Sequence, residues 1–201
     1  MVLRKTLGFG GMDMPFEPCR RIAALMSGFQ QPWFIAGGWA IDLFVGRETR
    51  PHDDIEIAVF RKDQLKLKEY LKGWAFQKVM NHALYPWENE VLELPVHELH
   101  ARNPENGNRL EILLNESEGD EWKFRRDVTI TRPLPSVWSS TQTGIPFLNP
   151  EIVLLYKAKR TRDKDHHDFM TVKDRLDRTQ REWLRQALKR HTPNHPWLKQ
   201  L

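Results

Sequence analysis

Residues Phe34–Phe60, FIAGGWAIDLFVGRETRPHDDIEIAVF, decide how this chain is read. An apolar run ends in Gly37-Gly38, which marks a buried strand entering a tight turn. Trp39, Leu43 and Phe44 recur at i, i+4 and i+5, and Gly46 follows, so a short helix is predicted there. RETRPH is polar and contains Pro51, which makes it a turn. In DDIEIAVF, Asp54, Glu56 and Ala58 share one face, while Asp53, Ile55, Ile57 and Val59 share the other. Carboxylates at i and i+2 of a strand lie within about 7 Å at Cα. Unpaired acids beside a core are costly, so Asp54 and Glu56 predict a site for a hard cation such as Mg2+. At a strand-to-helix junction, Gly37-Gly38 would let backbone N–H groups approach a phosphate.

Working outward, residues 1–13 read as a loose arm, and Ile22, Leu25, Met26 and Phe29 predict a helix with Pro18 in its first turn and Gly28 at its end. RKDQLKLKEYLKGW predicts an amphipathic helix with Leu65, Tyr70 and Leu71 inward. Residues 75–92 have strand character on both sides of Pro86. VHELHARNPENGNRLEILLNE predicts a hairpin turning at NPENGN, with Leu110, Ile112 and Leu114 on one face and Glu111 and Leu113 on the other. KFRRDVTITRP is a strand candidate and SSTQTGIP a loop. Asn149 and Pro150 open a helix through EIVLLYKAKR. TRDKDHH then reads as a charged loop, and a last helix is expected from about Asp168 to His191, with Asp165 and Asp168 as capping or ion-pairing residues. The order predicts an α+β fold: a mixed β-sheet core over 14–133 and a helical C-terminal part over 134–201 packed on it.

The chain has 201 residues, 31 Lys plus Arg against 27 Asp plus Glu, and one cysteine, Cys19. That excludes an internal disulfide and suits a cytoplasmic protein. No apolar run approaches the roughly 18 residues of a membrane span, and neither a signal peptide nor a membrane partner is expected. The mild positive excess suits a small anionic ligand; without a basic stripe, no nucleic acid partner is expected. Trp87, Trp122 and Trp138 read as core, with the wall of a pocket as the alternative.

GGWAIDLFVGRETRPHDDIEIAVFR resembles the signature of the DNA polymerase beta-like nucleotidyltransferase superfamily. Its W-A-I-D, G-R and R-x-H-x-D features are most similar to the aminoglycoside nucleotidyltransferase-like, 2''-adenylyltransferase-type branch. A looser likeness extends over RLEILLNE and PEIVLLYKAKRTRDKDHHDF. The resemblance implies a mixed-sheet nucleotidyltransferase core. It also implies that Gly37 and Gly38 hold donor phosphates, that Asp54 and Glu56 ligate one or two Mg2+, and that a later strand supplies a third acid. Glu111 is the candidate third acid, as metal ligand or base, with Glu93, Glu98 and Glu116 as competitors. Lys157 takes the place of a phosphate-contacting lysine, and Arg47 or Arg50 would assist from the turn. Lys159, Lys164 and His52 are further candidates. The implied activity moves AMP or another NMP from ATP or another nucleoside triphosphate to a hydroxyl of a small, aminoglycoside-like molecule. The acidic run at 115–121 is a candidate lining for such an acceptor. Glu56 departs from the branch's usual Asp by one carbon, which leaves an alternative: a catalytically weak nucleotide-binding or antitoxin-like module on the same fold.

Overall fold

The computed structural model describes residues 15–201, so the expected arm over residues 1–13 lies outside the described residues. Ten strands run through one twisted assembly. They are β1 (Trp33–Ile35), β2 (Glu56–Phe60), β3 (Ala75–Met80), β4 (Ala83–Pro86), β5 (Glu98–Arg102), β6 (Arg109–Glu118), β7 (Glu121–Lys123), β8 (Thr131–Pro133), β9 (Trp138–Ser140) and β10 (Pro146–Leu148). Eight of them follow the order β4-β3-β5-β6-β2-β1-β10-β9, and β7 and β8 extend from the far end of β6. The pairs β2–β6 and β1–β10 are parallel, and the other pairs are antiparallel. The helices are α1 (Glu17–Leu25), α2 (Gly37–Val45), α3 (Gln64–Tyr70), α4 (Pro150–Lys157), α5 (Asp163–Val172) and α6 (Arg178–His191). This is the expected α+β class. No helix among the described residues is long and apolar enough to cross a membrane.

The central strands are where the residue pattern is strongest. Ile57, Val59, Ile112, Leu99, Leu110 and Leu114 are buried at 1% exposure or less, which is the apolar face foreseen for β2 and for the β5–β6 hairpin. The helix after Gly37-Gly38 is apolar on more than one side, and Trp39 through Leu43 are all buried, because α2 lies between the sheet and the helices α4 and α5. Gly46 closes it in the left-handed region, φ 82°.

Several elements differ from expectation. Residues 138–148 form β9 and β10, and β10 pairs with β1, so the expected division at 133/134 falls inside the sheet. The stretch 124–130, read as strand, is a tight connection between β7 and β8, held by Phe124 N–H to Ile130 O (2.9 Å) and Ile130 N–H to Asp127 O (3.0 Å). Pro86 ends β4, and no strand follows it before β5. α1 ends at Leu25, before Gly28. The charged segment DKDHH is helical and opens α5, where the Asp165 carboxylate accepts from the Arg162 N–H at 3.0 Å. The single last helix is therefore two, and Asp177 caps the second by a reciprocal bond pair with Gln180 (2.8 and 3.1 Å). Asn149 stands before α4 as expected, but its side chain does not cap it. It donates to Ser136 O (2.9 Å) and accepts from Ser139 Oγ (2.7 Å), tying the helix entry to β9.

On α3 the apolar stripe is shifted by one position pair. Leu65 is 42% exposed, whereas Leu67 is fully buried and Leu71 nearly so. The short helix begins only at Gln64, after a 3-10 turn in which Asp63 and Gln64 are themselves buried, and this rotates Leu65 outward. Leu67→Ala is expected to cost about 2–5 kcal/mol, and Leu65→Ala less than about 0.5 kcal/mol, as read from urea unfolding of each variant.

Candidate active site

The site forms where β2, β5 and β6 present one face beside the start of α2. Register places Glu56 opposite Glu111, Glu111 opposite His100, and Glu98 opposite Leu113. Glu56, Glu98, His100 and Glu111 therefore project from the same side of the sheet. Asp54 lies two residues before Glu56, just outside the strand and exposed; Trp39 Nε1–H donates to its carbonyl at 3.0 Å. The candidate acids from three separate segments thus gather on one face of the central strands.

Their electrostatics follow from that crowding. Burial pushes the Glu56 carboxyl up to about 7; the charge of Asp54 adds to the rise, Lys157 opposes it, and Glu111 and Glu98 add further. Glu111 is also raised, by burial first and then by Asp54. The tightest group of ligand-type atoms is Glu98, His100 and Glu111, which lie within 4.8 Å of one another. His100 Nε2 is 2.9 Å from Glu98 and 3.9 Å from Glu111. Glu98, weighed only as a competitor to Glu111, stands beside it rather than in its place. Glu93 and Glu116 do not: Glu116 is ion-paired to Arg61 at 2.7 Å.

Gly37 is required where it stands. Its φ is +57°, and a Cβ there would lie 1.5 Å from Glu56 Oε2, so the carboxylate packs directly on the glycine at the start of α2. A Cβ on Gly38 would lie 2.2 Å from Arg50 Nη2 and 2.5 Å from His52 Cε1. Arg50 is thus behind the turn. Its Nε–H and Nη2–H donate to the two oxygens of Asp168 at 2.8 and 3.0 Å, and Nη1–H donates to His52 Nδ1 at 3.0 Å. An arginine only donates, so the His52 ring proton sits on Nε2 and donates to Asp42 Oδ2 at 2.7 Å. Asp42, His52 and Asp168 are all buried to 3% or less at their side chains. Lys157 continues the chain to Asp168 (3.1 Å) and Asp165 (2.9 Å), and Asp165 takes Arg162 at 2.8 Å. The expectation that Asp165 and Asp168 pair within their own segment is met only by Arg162; their other partners come from α4 and from the Arg50 turn.

Two clefts meet at the acids. The larger, about 820 Å3, reaches Gly37, Glu56, Glu98 and Lys157. Its walls carry six basic side chains, Arg125, Arg126, Lys157, Lys159, Arg160 and Arg162, against three acids, Glu56, Glu98 and Asp165. The smaller, about 620 Å3, reaches Asp53, Asp54, His100, Glu111, Arg102 and Arg109. Arg50 and Arg47 line neither, nor does Lys164. The acids of the 115–121 run also lie off both clefts; only Asn115 reaches one. Trp87 and Trp122 are core, and Trp138 stacks on Phe34 at 4.6 Å. Arg125, Arg126, Arg160 and Arg162 were not singled out from the sequence. Arg-Arg at 125–126 was visible as a pair but was read as part of a strand, which would have split it across two faces.

The fold and this acidic face place the chain among nucleotidyltransferase-fold proteins. Residues 19–172 match the aminoglycoside-2''-adenylyltransferase family, and the chain belongs to it. Among solved structures, the lincosamide antibiotic adenylyltransferase LnuA, determined with lincomycin bound, superposes with TM-score 0.55 at 21% identity, over 80% of this chain and 98% of that one. The antibiotic-resistance factor ANT(2'')-Ia matches in its solution structure with TM-score 0.58 at 17% identity, over 87% and 90% of the two chains. Its crystal structure in complex with adenylyl-2''-tobramycin also gives 0.58, at 16% identity, over 85% and 94%. At these identities the likeness is one of fold. A search of curated proteins returned no significant match.

Two consequences are measurable. Asp168→Ala strands Arg50 and Lys157 without their shared carboxylate, and about 3–5 kcal/mol of unfolding free energy should be lost, with the loss read by urea titration. For Asp165, burial acts to raise the carboxyl, but Arg162 and Lys157 outweigh it and hold it at about 2 against an ordinary 3.8. A depressed acid stabilises above its unfolded value and loses that contribution as pH falls toward the folded one. The stability gap between wild type and Asp165→Asn should therefore be constant above about pH 5 and close between about pH 4 and pH 2.

Proposed function

We propose that this chain is a nucleotidyltransferase that moves a nucleoside monophosphate, AMP in the first instance, from a nucleoside triphosphate to a hydroxyl of a small molecule. The observation that carries the reading is the position of the carboxylates at the junction of two clefts, one rich in cations beside the Gly37 turn and the other of mixed charge. The larger cleft suits the triphosphate: Gly37 and Gly38 bring α2's free N–H groups close to it, and Lys157 adds charge from α4. The smaller cleft suits the acceptor. Asp54 and Glu111 line it and Glu56 lines the larger one, so the reacting centres would meet at the acids.

A divalent cation fits these groups: they are oxygen donors, Glu56 is desolvated without an ion-pair partner at contact distance among the described residues, and Asp54 and Glu111 lie close enough to raise it. Asp54, Glu56 and Glu111 would hold it, and when bound it supplies Lewis-acid neutralisation of charge on the phosphates. Glu111, whose carboxyl burial and Asp54 raise above its ordinary value, would accept the acceptor hydroxyl's proton as the carboxylate. The hydroxyl oxygen bonds to the α-phosphorus, the bond from that phosphorus to the β-phosphate bridging oxygen breaks, and pyrophosphate leaves. Arg50 is a positioning residue in this scheme. It supports the Gly38 turn from behind, and Asp168 occupies two of its N–H groups.

The aminoglycoside-like acceptor is supported by family membership. The smaller cleft has Asp53, Asp54 and Glu111 against Arg102 and Arg109, a slight acidic excess that favours an acceptor of modest positive charge. ATP with Mg2+ should raise the melting temperature, and Asp54→Asn should remove the Mg2+-dependent part. Glu111→Gln should remove only part of that Mg2+-dependent shift, since Asp54 and Glu56 remain as ligands, and lower the rate of pyrophosphate release by about 10²–10⁴-fold in the presence of a hydroxyl-bearing acceptor. Nucleotide binding with no release across an aminoglycoside and lincosamide panel would instead favour the binding-module reading.

A further inference from the structure

The connection from β7 to β8 carries two adjacent arginines into the larger cleft. Because residues 124–130 turn rather than extend, Arg125 and Arg126 both line the cleft. Both guanidiniums lie over the ring of Tyr156 on α4, with Cζ 5.5 and 5.4 Å from its centroid. The ring is fixed in turn, since its hydroxyl donates to Asn115 Oδ1 at 3.3 Å, an atom that also accepts from Trp122 Nε1 at 3.0 Å. The turn is held by Asp127 N–H to Phe124 O (2.9 Å) and by an ion pair between Asp127 and Arg190 (3.2 Å). The two cations are therefore presented by a rigid element.

Neither arginine has an acid in contact among the described residues. Arg126 donates through Nη1 to Tyr156 O at 2.8 Å, while its Nε is buried without a partner. The Arg125 side chain makes no hydrogen bond or ion pair among the described residues, and it lies over the Tyr156 ring. Burial first, and then the neighbouring charge of Arg126, pull Arg125 down to about 10. Two desolvated like charges side by side are unfavourable unless an anion joins them. The other basic groups of the cleft, Lys157, Lys159, Arg160 and Arg162, lie at the end of α4 and in the segment joining it to α5, so cations line it from two separate parts of the fold.

The geometry points to Arg125 and Arg126 as a phosphate-binding pair that holds the terminal phosphates of the nucleoside triphosphate and the pyrophosphate product; this rests on the donor assignment proposed above. A forked guanidinium donates two parallel N–H groups to a phosphate, and the pair together presents a doubled charge suited to a diphosphate rather than to a monoester. The Tyr156 ring orients both forks without taking an N–H group from either, and its carbonyl takes one N–H of Arg126. The pair would thus read the donor's length, separating triphosphates from monophosphates.

The test is calorimetric titration of the full chain with inorganic pyrophosphate, ATP and AMP, each with Mg2+. Arg125→Gln is the variant of choice, because the Arg125 side chain holds no hydrogen bond among the described residues and its truncation leaves no protein group unpaired; the melting temperature of the free protein should not fall. Pyrophosphate and ATP should each bind about tenfold or more weakly, with AMP affinity unchanged, and Arg125→Lys should recover part of the loss by charge alone. Equal weakening of AMP and ATP would overturn the inference and assign the pair to the base or α-phosphate. Unchanged pyrophosphate and ATP binding in Arg125→Gln would overturn it as well, with the donor assignment intact. Wild-type binding of pyrophosphate but not ATP, lost in the variant, would keep the anion site and overturn the donor assignment, and no binding of either by wild type would overturn both.

Discussion

The fully buried carboxylate of Asp168 takes two N–H bonds from Arg50 and an ion pair from Lys157, and the site is built outward from it. Arg50 comes from the turn after α2, Lys157 from α4, and Asp168 from α5, so one carboxylate joins two consecutive helices to a turn 118 residues before it. On one side the chain of contacts runs through His52 to Asp42 inside α2; on the other it runs through Lys157 to Asp165 and Arg162. Apolar packing alone would let α2 shift against α4 and α5. Directional ion pairs at low exposure do not, because any slip leaves a buried charge without its partner. The Gly37-Gly38 turn inherits this fixity, since Gly38 lies against Arg50 and His52 with no room for a side chain.

The same arrangement explains why Arg50 was misread as a ligand-facing cation. In the sequence it sits between a glycine turn and an acidic strand, where an arginine aimed at a phosphate and one aimed into the protein look alike. Only the long-range partner, 118 residues away, separates them. What was legible obeys local periodicity: the alternation through β2, the hairpin at NPENGN, the helix opening at Pro150. Glu111 was legible because one carboxylate interrupts a strand that is otherwise apolar. The β7–β8 turn was not, since Phe124, Val128 and Ile130 imitate a strand while backbone bonds from Phe124 and Ile130 close a loop. Nor was α5, where charges crowd the first turn of a helix whose stability comes from Asp165 and Asp168 meeting partners on other elements. The strands β9 and β10 are three residues each, below the length at which a period of two is visible.

Charge is sorted across the molecule's working face. In the larger cleft Glu56 and Glu98 stand on the sheet, while the cations come from the end of α4, the segment joining it to α5 and the β7–β8 turn. Burial first, and then the charge of the neighbouring acids, holds Glu56 and Glu111 above the usual carboxylate range. Because the arginines of the turn are desolvated together, Arg125 is held below its own. Each group carries an electrostatic cost that the folded chain alone does not relieve. Uncompensated charge of both signs, with Glu56 and Arg125 lining the same cleft, supports the proposed reading of a binding site over that of a stability device.

The glutamate at position 56 has a structural reason independent of its acid strength. Its carboxylate reaches the start of α2 and packs on Gly37, in the space that a Cβ would fill. An aspartate on the same strand stops about one C–C bond short of that contact. α2 has no side chain capping its first turn, so its free N–H groups face the same region as the Glu56 carboxylate. A helix start favours negative charge, and it therefore works against the burial and the Asp54 charge that push Glu56 toward neutrality. Gly37 and Glu56 are thus a matched pair: the positive φ and the missing side chain make the space, and the longer acid fills it. The departure from aspartate reads as an adjustment of reach between β2 and α2, with the carboxylate still at the junction of the two clefts.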